Sequence, residues 1–118
     1  MEGPYVIRRG RENWIPIGDG VRLSYLRRYR DEYSILLEMD AGGRLPEHDH
    51  AGGEEIFVLE GSVRLGAEEL RQGDYYFSPP GVSHAAETKE GCSLLITSTS
   101  GMEMKEGLKP LKKHPEAF

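Results

Sequence analysis

Apolar and polar residues alternate in short windows along the chain. Val21, Leu23 and Tyr25 stand against Arg22 and Ser24, and Tyr33, Ile35, Leu37 and Met39 form a second apolar row. A period of two is what a half-buried strand produces, because successive side chains point to opposite faces. Between the windows lie Gly18-Asp19-Gly20, Ala41-Gly42-Gly43, Ala51-Gly52-Gly53, Gly73-Asp74 and Pro79-Pro80-Gly81. Each supplies positive φ or a fixed proline φ for a turn. Further strands are predicted over 55–60, 62–65, 75–77, 84–88 and 93–99, with an N-terminal one near 5–8. The total of about eight suits a jelly roll or small barrel. No helical period competes, so the expected fold class is all-β. The tail from Gly101 is lysine-rich and interrupted by Gly107, Pro110 and Pro115, which disfavours a stable helix. It is expected to pack loosely or to embrace a second subunit.

Length and composition narrow the picture. A chain of 118 residues divided in two would leave neither half a self-sufficient core, so one domain is expected. With 37% hydrophobic and 30% charged residues, it lies outside the disordered class. The formal charge of −5 gives no field drawing the protein to phosphate backbones, so nucleic acid is not an expected partner. Arg27, Arg28 and Arg30 are interrupted by Tyr29 and read as the solvated side of a strand. Residues 1–20 carry Arg8, Arg9, Arg11, Glu12 and Asp19 without an apolar run, and no segment is long and apolar enough to span a bilayer. No membrane association is expected. The single cysteine, Cys92, cannot form an intramolecular disulfide, which points to a cytoplasmic setting. It lies in an apolar strand without a neighbouring base, as a small core residue does.

The chemistry concentrates between Gly42 and Gly61. His48 and His50 are two apart and would project from one face of an extended chain, where one metal ion can take both. Imidazole suits zinc, copper, iron and nickel, and a nearby carboxylate extends the choice to manganese. Glu54 follows the Ala51-Gly52-Gly53 turn. Glu55 is adjacent, alternation sends the two to opposite faces, and only one of them can ligate. Ile56-Phe57-Val58-Leu59 is apolar in both parities, so local pattern leaves that choice open. His84 lies far along the chain, but in a barrel its strand could run beside the one carrying His48 and His50. Asp49, between the two histidines, should point away from a metal. His114 belongs to the polar tail and is set aside. Trp14, Tyr25, Tyr75, Tyr76 and Phe77 could line a substrate pocket, but packing is the default for aromatics at strand spacing and none is expected to be catalytic.

These residues resemble the cupin superfamily, whose motifs are G(X)5HXH(X)3–4E(X)6G and G(X)5PXG(X)2H(X)3N. The first is met by Gly42, His48, His50, Glu54 and Gly61, the second by Gly73, Pro79, Gly81 and His84. Thr88 stands where the second motif has asparagine, a position that does not ligate in the family. The resemblance implies a cupin jelly-roll β-barrel: one domain over 1–118, with the barrel at about 14–99 and a tail at 101–118. It also implies one divalent transition metal ion (Fe2+, Zn2+, Mn2+ or Ni2+) held by His48, His50, Glu54 and His84. The spacing to Gly61 favours Glu54 over Glu55, and no catalytic residue beyond the metal site is expected.

The short His50-to-Glu54 spacing, the Gly-Glu-Glu run and the segment 90–95 are similar to one subgroup. It holds the cupin domains of ChrR-type anti-sigma factors and metal-dependent dioxygenases that cleave β-diketones and hydroxyacetophenones. The resemblance implies a metal-dependent dioxygenase acting on a small chelating substrate such as a β-dicarbonyl, enediol or phenol. The alternative is a non-catalytic zinc-binding sensor or regulatory module. Anti-sigma factors of this type carry a separate N-terminal zinc domain, but residues 1–40 hold neither Cys nor His, so full anti-sigma action is not expected. Small cupins commonly pair through exposed sheet edges, and a homodimer is expected.

Overall fold

The computed structural model describes residues 3–48 and 52–98, with only the backbone of residues 47 and 48. The expected tail, His114, Asp49 and His50 lie outside the described residues. Among the described residues there are nine strands: β1 (Ile15–Gly18), β2 (Val21–Tyr29), β3 (Glu32–Met39), β4 (Arg44–His48), β5 (Glu54–Leu65), β6 (Glu68–Arg71), β7 (Tyr75–Ser78), β8 (His84–Glu87) and β9 (Cys92–Ser98). No helix occurs among the described residues, and every ladder is antiparallel. The strands run in the order β1-β2-β3-β9-β5-β8-β4, with β6 and β7 also paired to β5, and form a nearly closed barrel.

The alternation seen in the sequence becomes an inside and an outside. Val21 and Leu23 of β2, Ile35, Leu37 and Met39 of β3, and Leu94 and Ile96 of β9 are buried in one core. The ladder sets Leu37 opposite both Leu23 and Leu94, so the inward rows of three strands meet. Ser24 departs from expectation: it belongs to the polar parity yet is 2% exposed.

The segments 55–60 and 62–65, expected as separate strands, are one. Up to Gly61 β5 pairs with β9 and β7, and from Ser62 onward with β6 and β8. The β9 register slips between Val58 and Glu60, and Gly61 has φ of 78°. A Cβ there would overlap the Gly91 carbonyl oxygen, so only glycine lets the strand turn this corner. The slip also changes the inward parity. Glu54, Ile56 and Val58 face in before it, Val63 and Leu65 after it. Within Ile56-Phe57-Val58-Leu59 only Ile56 and Val58 are buried, and Phe57 is an exposed apolar residue on the outer face.

The expected strand near 5–8 is not formed. The edge of β2 is taken instead by β1, where Ile15 pairs with Leu23 and Pro16 with Arg22; proline is tolerated on such an edge strand. Residues 5–14 are attached through side chains. Tyr5 donates its hydroxyl to the Leu26 carbonyl at 2.5 Å, Arg9 lies 3.6 Å from Glu60, and Arg22 lies 5.8 Å from the centre of the Trp14 ring. β6 was not expected, because Leu70 is the only apolar residue it buries.

Candidate metal centre

Three strand ends converge at one end of the barrel. His84 opens β8, Glu54 opens β5, and His48 closes β4. The β4–β8 ladder places His48 directly opposite His84. The separation of these histidines along the chain is thus removed by strand pairing, as the barrel expectation required.

Glu54 is aimed inward by the turn before it. Gly53 has φ of +81°, and a Cβ on it would come within 2.8 Å of the Ser78 carbonyl oxygen, so the tight entry to β5 needs glycine. The Gly53 carbonyl accepts the Ser98 hydroxyl at 2.5 Å. From that start Glu54 points into the barrel with its side chain 0% exposed, while Glu55 is exposed and accepts the Tyr75 hydroxyl at 2.9 Å. The choice that local pattern left open is settled as to direction: Glu54 faces in and Glu55 out.

Inside, His84 Nε2 lies 3.6 Å from Glu54 Oε1, with the His84 side chain 4% exposed. The other carboxylate oxygen, Oε2, accepts the Tyr33 hydroxyl at 3.2 Å. Tyr76 stands edge-on to the imidazole, its ring centre 6.2 Å away at 86°. Burial pushes the Glu54 carboxyl up to about 8, and the Tyr33 hydrogen bond offsets part of that rise. Burial and the neighbouring Glu54 carboxylate push the Tyr33 phenol well above its ordinary value, so it remains a hydrogen-bond donor.

The donor set fits a transition metal ion. A dry carboxylate and a dry imidazole face one another at a distance longer than the usual hydrogen bond of about 2.7–3.2 Å. Two ligands each about 2.0–2.2 Å from a tetrahedral ion lie about 3.5 Å apart. Imidazole nitrogen with carboxylate oxygen suits zinc, iron, manganese or nickel.

Two other expectations can be located. Cys92 is 8% exposed, and burial raises its thiol to about 11, so it is an inert core residue. Thr88, at the motif's asparagine position, is a buried clasp. Its hydroxyl donates to the Ser62 carbonyl at 2.6 Å and accepts the Gly91 N–H at 2.9 Å. Its backbone exchanges hydrogen bonds with Gly42 N–H and the Gly43 carbonyl. Threonine therefore does a structural job there. The sequence does not mark Tyr33 as a site residue, and Tyr76 stands among the aromatics that could line a pocket. Tyr33 had one signal, a phenol at the polar end of an otherwise aliphatic inward row. The exposed Tyr75 and Phe77 flank Tyr76 on β7 and point the other way.

An all-antiparallel jelly-roll barrel carrying both motifs at these positions defines a cupin. More narrowly, the chain belongs to the ChrR cupin-like domain family, whose model matches residues 2–101. It is 27% identical over 97 residues to the anti-sigma-E factor ChrR of Cereibacter sphaeroides, covering 81% of this chain and 46% of that protein. The chain thus spans just under half the length of this curated relative. The structure is similar to that of Rhodobacter sphaeroides ChrR in complex with SigE, at TM-score 0.70 and 26% identity, covering 78% of this chain and 51% of that one. It also shares its fold with an acetylacetone dioxygenase from Acinetobacter johnsonii, at TM-score 0.73 and 18% identity, covering 85% of this chain and 76% of that one. Among the described residues, no helix is long and apolar enough to cross a membrane.

Proposed function

We propose that this protein is a metal-binding cupin in which His48, His50, Glu54 and His84 hold one divalent transition metal ion that takes a small oxygen-chelating ligand. The observation that carries the reading is the dry His84–Glu54 pair at 3.6 Å, beside the register position that sets His48 opposite His84. When bound, the ion would supply Lewis acidity and, as Fe2+, a site at which a chelated β-dicarbonyl, enediol or phenol becomes electron-rich toward O2. The chain's own part is to orient and to exclude water. Glu54 is fixed by Tyr33, His84 is bordered by Tyr76, and Ile56 and Ile96, paired across β5 and β9, are buried in the core.

A second reading is supported by the family assignment. Four residues filling a tetrahedral Zn2+ would leave no open position, and the protein would act as a zinc-binding sensor or regulatory module. Metal analysis of anaerobically purified protein, followed by O2 uptake with a panel of β-dicarbonyls, separates the two. Iron with substrate-dependent uptake supports the oxygenase; zinc with no uptake under any metal supports the sensor. Protein that takes up no metal at all refutes both.

A further inference from the structure

The Glu54 carboxylate is held by its two oxygens in different ways. Oε2 accepts the Tyr33 hydroxyl at 3.2 Å, while Oε1 is the oxygen turned toward His84 Nε2 at 3.6 Å. Tyr33 is itself fixed from below and from the side. It is packed against the core, and Ser98 stands directly opposite it across the β3–β9 ladder. Ser98 is 3% exposed and its hydroxyl ties back to the Gly53 carbonyl, the residue that starts Glu54 on its inward course. Strands β3, β9 and β5 thus meet at one carboxylate through Tyr33, Ser98 and Gly53.

We infer that Tyr33 is a positioning residue that makes Glu54 a one-oxygen ligand, occupying Oε2 so that Oε1 alone is presented to the ion beside His84. This rests on the metal-binding reading above and deepens it. A hydrogen bond at Oε2 holds the carboxylate in one orientation and opposes its swing to chelate with both oxygens, so the Tyr33 hydroxyl favours one-oxygen ligation at the centre. A ligand's outer hydrogen-bond partner typically changes metal affinity by about 10- to 100-fold when removed. Here its loss would also change geometry, because the freed carboxylate could close on the ion with both oxygens or turn away from it.

The test compares full-length wild type, Tyr33→Phe and Glu54→Ala. Zinc affinity is read by chelator competition, and Co2+ loaded in place of zinc reports ligand geometry through its visible spectrum. Tyr33→Phe is expected to keep the thermal midpoint of the metal-free protein within a few degrees, to weaken zinc binding at least tenfold, and to change the Co2+ spectrum. Affinity and spectrum both equal to wild type, with Glu54→Ala impaired, would overturn the role of Tyr33 and leave the metal site standing. Wild type that binds neither ion would instead remove the metal reading itself. Should Tyr33→Phe not fold, carboxylate infrared bands of glutamate-labelled, zinc-loaded wild type decide. One-oxygen ligation is expected, and two-oxygen chelation by Glu54 overturns the inference.

Discussion

Replacing Glu54 with glutamine should make the metal-free protein more stable at alkaline pH, although it removes a proposed ligand. Burial holds the folded-state carboxyl at about 8 against an ordinary 4.5. A carboxyl whose pKa is raised on folding contributes stability that is fully present below about pH 4.5 and is lost as pH rises through about 8. The difference of about 3.5 units, at 1.36 kcal/mol each, corresponds to about 5 kcal/mol lost across that window. Glutamine is neutral throughout, keeps an oxygen to accept the Tyr33 hydroxyl, and removes this slope. Urea unfolding in a chelator at pH 5, 6.5 and 8 measures it: the two stability curves should cross or diverge in favour of Glu54→Gln as pH rises. Saturating zinc should reverse the order at pH 8, since a cation stabilises the ionised carboxylate. Parallel curves for the two metal-free proteins from pH 5 to 8 would refute the reasoning.

Other consequences follow from the same geometry. His84→Ala should abolish most metal uptake while the far-ultraviolet spectrum stays that of a β-barrel, and unchanged metal stoichiometry would remove His84 from the site. Gly61→Ala forces a side chain onto positive φ and into the Gly91 carbonyl; a loss of about 2–4 kcal/mol is expected by denaturant titration. Thr88→Val strands the Ser62 carbonyl and the Gly91 N–H, costing about 1–3 kcal/mol without altering metal stoichiometry. Cys92 should react with a thiol reagent only as fast as the protein opens, because its thiol is buried and raised to about 11; rapid modification of the native state would contradict this.

Much of the barrel was legible as pattern. The inward rows of β3 and β9 follow a period of two, because each is buried on one face and keeps one parity throughout, while in β2 the pattern holds at Val21 and Leu23 and is broken at the buried Ser24. The histidines and Glu54 were legible as spaced residue types. That legibility failed wherever an element is defined by its partner. β1 is a strand because β2 offers it an edge, and β6 because β5 continues past its corner. The segment at 5–8 has strand-like residues but pairs with no strand, and Tyr5 is held instead through its side chain to the Leu26 carbonyl.

The sequence alone determined that His48, His50, Glu54 and His84 stand at ligand-like spacings and where glycine and proline punctuate the strands, since both are read from positions along the chain. Only the tertiary structure decided that Glu54 and not Glu55 faces the interior, because a bulge near Gly61 and the Gly53 turn set the phase of β5. It likewise decided that His84 lies opposite His48 and that a phenol from β3 holds the carboxylate. Those placements arise from pairing between strands distant in sequence, and no local window contains both partners.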